Sequence, residues 1–240
     1  MSTVSRLAMA VAIGILISAS NGCKMASDGQ NLQGVQLYQQ GQYQAALQEF
    51  QKVLSTDPKN ADAYYNMAAT MHRMGAQKGD KAMLTQAETL YNQCLDLDPN
   101  NADCYRGLAV LLVESGRQDQ AFTLLKNWAA GNAASPDARI ELARLYEEFG
   151  DVETAKVYLN QAIMADQNSA RAWAALGRIR EKSGDPQQAL ANYQRAYNLN
   201  SSQAAVAERI AALSRSLATT QDPNRPDATR TVTTPTPPMR

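Results

Sequence analysis

The sequence predicts an all-α fold of stacked helix pairs, and three observations carry that prediction. Ala, Gln and Leu dominate the middle of the chain and β-branched runs are rare there, a composition that favours helix. Glycines recur at a fixed step: Gly116, Gly150 and Gly184 are 34 residues apart, as are Gly41 and Gly75. Alanines keep the same step at Ala121, Ala155 and Ala189. A period of this length marks one supersecondary unit that buries its apolar face against the next copy of itself.

The 240 residues are 45% hydrophobic, enough for a core, and carry 23 basic and 23 acidic side chains. Duplex-binding domains usually show a basic excess, so nucleic acid is not an expected partner. The N-terminus reads as an address. Arg6 precedes an uncharged, mostly apolar run at 7–19, too short to span a bilayer comfortably and suited to a signal peptide. With Gly22 and Cys23 the segment resembles a bacterial lipoprotein signal, which implies cleavage before Cys23 and lipid attachment to it. Cleavage after Ser20 is the alternative. Residues 1–22 are thus expected to be removed, and 23–29 to be a linker.

The repeats follow over 30–218. Units are expected at about 27–60, 61–101, 102–135, 136–169 and 170–203. In the last, Trp173, Leu176, Gly177 and Arg180 share one helical face, Gly184 breaks the helix, and Asp185-Pro186 starts a second. Its second helix carries Ala189, Tyr193 and Ala196 on one face. Gly177 lets two backbones approach while Tyr193, or Phe50 in the first unit, fills the adjacent gap. Between Gly75 and Gly116 the step is 41. The seven extra residues fall between Gly75 and Ala87, where helix B can start early with Asp80 as its cap and two extra turns at the edge of the stack. After the fifth unit, Val206, Ile210, Leu213 and Leu217 mark an amphipathic capping helix over 204–217. The Pro- and Thr-rich stretch 219–240 lacks periodic apolars and is expected to be a disordered tail.

These residues resemble the tetratricopeptide repeat (TPR) family. Its pattern is matched by Gly34, Ala46, Phe50 and Pro58; by Tyr64, Met67, Ala68, Ala87 and Tyr91; by Tyr105, Leu108 and Ala109; and by Leu142, Ala143, Tyr146 and Ala162. The resemblance implies a right-handed superhelix, an α-solenoid of about five helix-turn-helix repeats, whose concave face binds a peptide or a partner helix. Carried over position by position, that groove takes Tyr65, Asn66, His72 and Arg73 from the second unit. The third supplies Arg106 and Val110, the fourth Ile140 and Arg144, and the fifth Arg171 and Arg178. Arginines interleaved with apolar residues suit a peptide carrying acids and a hydrophobic anchor.

Catalytic chemistry is not apparent. The one histidine, His72, is expected on the groove surface, and no phosphate-cradling glycine motif occurs. Asp57, Asp98, Asp119, Asp151 and Asp185 fall at helix ends, and Glu147-Glu148 reads as a solvated surface. Cys94 and Cys104 could meet across a repeat junction, but two independent buried thiols are the favoured expectation. No cofactor, metal or small-molecule substrate is implied. The expectation is a non-catalytic, membrane-anchored scaffold in a bacterial cell envelope, resembling small TPR lipoproteins of pilus or secretion-machine assembly. A helical accessory of an envelope glycosyltransferase or peptidoglycan-processing enzyme, or a lipid-free periplasmic protein, is the alternative.

Overall fold

Side chains that accept hydrogen bonds from otherwise free backbone amides set where most of the helices begin. Asn60 accepts from the Ala63 amide at 2.9 Å, Asn101 from Cys104 at 3.0 Å, and Asp151 from Thr154 at 3.0 Å. Asp185 caps a helix with Pro186 in its first turn, as expected. The computed structural model describes residues 29–220, and among them all regular structure is helical. Cys23, the signal segment, most of the linker and the tail from 221 lie outside the described residues.

The helices are α1 (29–39), α2 (Tyr43–Thr56), α3 (Ala61–Lys78), α4 (Lys81–Leu97), α5 (Ala102–Glu114), α6 (Gln118–Gly131), α7 (Asp137–Glu148), α8 (Val152–Ala165), α9 (Ala170–Lys182), α10 (Pro186–Leu199) and α11 (Ala204–Thr220). They fall into two units, divided between Asn132 and Ala133.

In the first unit α2, α3, α4, α5 and α6 each pack on the next, and α3 also touches α5. The same order holds in the second, from α7 to α11, with α7 touching α9. That is the contact pattern of an α-solenoid: hairpins stacked so that first helices lie side by side. Each second helix buries one stripe at i, i+4 and i+7. The stripes are Ala46, Phe50 and Val53; Ala87, Tyr91 and Cys94; Ala121, Leu125 and Trp128; Ala155, Leu159 and Ala162; and Ala189, Tyr193 and Ala196. Alanine at the first position lets the two helices of a hairpin approach, and a large side chain four residues on fills the space beside it. The helix α11 closes the second unit by burying Val206 and Leu213 against Ala189, Tyr193 and Ala196.

Two expectations are corrected here. The turn of the second hairpin is made by Gly79, not Gly75: Gly79 adopts φ 65° and caps α3, whereas Gly75 lies inside that helix. The insertion is therefore shared, with 18 and 17 residues in α3 and α4 against 13 and 14 in α5 and α6. One turn is added to each arm. Asp80 does cap α4, accepting from the Ala82 and Met83 amides.

The second correction concerns the cysteines. Cys94 and Cys104 form a disulfide. The short link between α4 and α5 brings the last turn of one helix beside the first turn of the next, with the Cα atoms 6.5 Å apart, within the span a disulfide bridges. Both residues are fully buried.

Candidate concave binding site

In the first unit α3 and α5 border a cavity of about 250 Å³, on the face expected to be concave. Tyr38, Tyr65 and Tyr91 make its aromatic wall, and His72, Arg73 and Arg106 its polar side. Five of the residues expected here line it: Tyr65, His72, Arg73, Arg106 and Val110. Asn66 does not; its amide donates to Asn31 Oδ1 at 2.9 Å, tying α3 to α1.

His72 departs from the expectation of a surface residue. It is buried, its Nε2 lies 3.0 Å from Glu114 Oε2, and its ring meets Tyr91 edge-on with centroids 6.2 Å apart. The pair links α3 to α5 across adjacent hairpins. Burial raises the pKa of the Tyr65 hydroxyl, with the charge of Asp103 adding to it, and burial then the neighbouring Tyr65 does the same to Tyr91. Both stay neutral donors at ordinary pH. Arg73 is exposed and stands beside the Tyr43 hydroxyl, which helps hold its charge. Arg106 pairs with Asp103 at 2.7 Å. The site thus offers aromatic surface, neutral hydroxyls and a guanidinium. These suit non-covalent recognition of a side chain with an anionic neighbour. Among the described residues no group of three or more His, Cys, Asp or Glu side chains could hold a metal ion.

The second unit is organised differently. Ile140 is buried in the core with Ala143, Leu159 and Leu176, so it faces inward and not into a groove. Glu141 is a buried carboxylate whose partners include Arg144 at 3.2 Å and Arg171 at 2.9 Å, and Arg171 also binds Asp137. Arg178 and Lys182 both reach Glu147 Oε1, at 2.6 and 2.8 Å. Glu147 is therefore not the solvated residue expected from sequence: its side chain is only 11% exposed. Burial alone would raise its pKa, but the Lys182 hydrogen bond and the Arg178 charge outweigh it and hold the carboxyl below its ordinary value. The arginines expected to meet a partner's acids here already meet the chain's own.

Close approaches of small residues to rings recur along the molecule. A Cβ on Gly34 would lie 2.4 Å from Phe50, one on Gly107 2.4 Å from Tyr91, and one on Gly177 3.0 Å from Tyr193. Family sequence models agree with that repetition: one described as TPR repeat matches residues 34–75, and others described as tetratricopeptide repeat match 80–130, 113–179 and 170–203. The chain belongs to the tetratricopeptide repeat family. Among solved structures it is similar to TTC0263, a thermophilic TPR protein of Thermus thermophilus, at 22% identity and TM-score 0.58, covering 79% of this chain and 99% of that one. It is also similar to human IFIT1, determined as a dimer with m7Gppp-AAAA, at 18% identity and TM-score 0.53, covering 75% of this chain and 43% of that one. At these identities the likeness concerns the fold. No curated protein sequence matches.

The TPR fold suggests a protein–protein interaction scaffold, and repeats of this family are typically non-catalytic. Sequence reading missed Tyr38 and Glu114. Tyr38 had a signal, since it stands 34 residues before His72 and so shares its TPR position. The ion pairs had one too: Asp137 and Arg171 are opposite charges one repeat length apart. Arg117, just before α6, was not singled out as a site residue either; it gives two guanidinium nitrogens to Glu88, at 3.0 and 2.7 Å.

Proposed function

We propose that this chain is a scaffold that holds a peptide or helix of another protein in its concave TPR face. The observation that carries this reading is the cavity of the first unit, where tyrosines and Arg73 share one concave surface. Tyr and Arg are the side chains that most often dominate protein-binding energy, and Tyr does so at low cost in conformational entropy.

The scaffold works outside the cytoplasm, tethered by a lipid on Cys23, in the assembly of an envelope machine such as a pilus or secretion apparatus. Support for export comes from the signal-like 1–22 and from the buried Cys94–Cys104 disulfide, a bond that persists in oxidising compartments. Two experiments test the parts separately. Affinity capture from detergent-solubilised membranes should recover a partner with the wild type and lose most of it with Tyr65→Ala or Arg73→Ala, while helical circular dichroism stays unchanged. Equal recovery by all three proteins would refute the concave site. Cys23→Ser should abolish fatty-acid labelling and release the protein into the soluble fraction; labelling that survives the substitution would remove the anchor.

A further inference from the structure

The turns added to α3 and α4 build a second cavity. A cleft of about 660 Å³ lies between the tip of that hairpin and the start of the α5–α6 turn, with Gly75, Leu84 and Thr85 on one side and Ser115 and Arg117 on the other. Its lining shares Ala76 and Glu114 with the concave cavity. The two spaces are neighbours that have an exposed alanine and an exposed carboxylate in common.

The charges along this route are unequal in availability. Each carboxylate has a cationic or imidazole partner: Asp103 with Arg106, Glu88 with Arg117, and Glu114 with His72. Of the cations, Arg73 in the concave cavity and Lys81 in the cleft make no close ion pair among the described residues, Arg73 resting beside the Tyr43 hydroxyl with the Glu114 charge acting on it from farther off. Both are exposed. A helix rises about 1.5 Å per residue, so the six residues from Arg73 to Gly79, beside Lys81, span roughly 9 Å. An extended chain covers that in about three residues at roughly 3.3 Å each.

We propose that cavity and cleft form one binding path, and that its occupant is an extended acidic segment of another protein. An aromatic or branched aliphatic side chain sits among Tyr38, Tyr65 and Tyr91, one carboxylate meets Arg73, and a second, about three residues away along the segment, meets Lys81. The segment crosses at Ala76, where a small side chain leaves room. The seven-residue insertion is then a specificity element: it supplies the second cationic contact and the wall that guides the segment to it. This rests on the concave-site reading above and adds the partner's charge spacing.

The test is fluorescence anisotropy on the full chain with labelled synthetic peptides of Gly-Ser background. Each carries one Phe or Leu anchor and either one Asp or two, with the pair spaced from about two to six residues apart, bracketing the extended-chain estimate. The two-Asp peptide of about three-residue spacing should bind best. Lys81→Glu and Ala76→Trp should each weaken it about tenfold, as repulsion or blockage at a rim contact does, and Lys81→Glu should leave the one-Asp peptide unchanged. Arg73→Ala should weaken both. If Arg73→Ala weakens binding while Lys81→Glu and Ala76→Trp do not, the path through the cleft is overturned and the concave site stands. If the wild type binds no peptide of the set, or Tyr65→Ala and Arg73→Ala bind as it does, the path and the acidic-segment reading of the concave site fall together.

Discussion

Gly107 and the ring of Tyr91 pack so closely that a Cβ at position 107 would lie 2.4 Å from Tyr91 Cε1. The contact joins α5 to α4, that is, one hairpin to the next. One helical turn along each of these helices sit Cys104 and Cys94, joined by the disulfide. Tyr91 is a core residue of its own hairpin and also part of the concave cavity wall. The junction that holds the stack together and the surface proposed for a partner therefore share a side chain.

Gly107→Ala should destabilise the chain by about 1–3 kcal/mol, because the methyl group can be admitted only by moving a buried ring. Gly131→Ala is the control. Nothing lies within 4 Å of a Cβ there, and the helix gains propensity. Thermal melting distinguishes the two; equal melting temperatures would mean that Tyr91 yields freely.

Removing the disulfide with Cys94→Ala and Cys104→Ala together should cost about 2–4 kcal/mol. The crosslink closes a short loop, with a sequence separation of 10, and such loops fall near the lower end of that range. Because both sulfurs are buried, mild reductant should leave the native protein crosslinked and act only once it unfolds. Rapid reduction without denaturant, followed by thiol labelling, would contradict the burial.

Glu147 makes stability depend on pH. Its folded pKa lies below its ordinary value of 4.5, so its contribution is fully present above that value and is lost as pH falls through the folded pKa. Wild type should exceed Glu147→Gln in stability at neutral pH, and the gap should shrink as the solution is acidified below about 4.5. A gap independent of pH in chemical denaturation would show that the Arg178 and Lys182 contacts do not favour the charged form.

Arg171→Ala removes one charge partner from Glu141, whose side chain is 2% exposed. Arg171 itself is 46% exposed, which moderates the loss to about 1–2 kcal/mol. Adding Glu141→Leu to that variant should recover part of the loss, since an apolar residue needs no partner. Strictly additive losses in a double-mutant cycle would refute the coupling.

The repeated hairpins were legible because their signal is periodic: an alanine stripe or a glycine at a 34-residue step survives any error at one position. The Gly177–Tyr193 contact was visible for that reason, while Asp80 as a cap and the α11 stripe were visible from local capping and helical spacing. The Gly75 assignment failed because periodicity locates an average unit, and an insertion divided between two helices leaves the old glycine in place while moving the turn. Ile140 failed for another reason. Position within a repeat predicts which way a Cβ points, but whether the side chain meets solvent or core depends on the neighbouring hairpin. The disulfide needed a distance across a junction, and sequence separation alone does not supply one.

The division of the insertion into one turn on α3 and one on α4 bears on how such a chain could be altered. A hairpin stretched by about a turn in each arm keeps its base unchanged, so the neighbours that pack on that base experience no shift in phase. Length at the tip is then an independent variable. Trimming or adding whole turns in matched amounts would change reach and leave the rest of the array as it was, whereas the same number of residues placed in a single arm would rotate every apolar side chain beyond it.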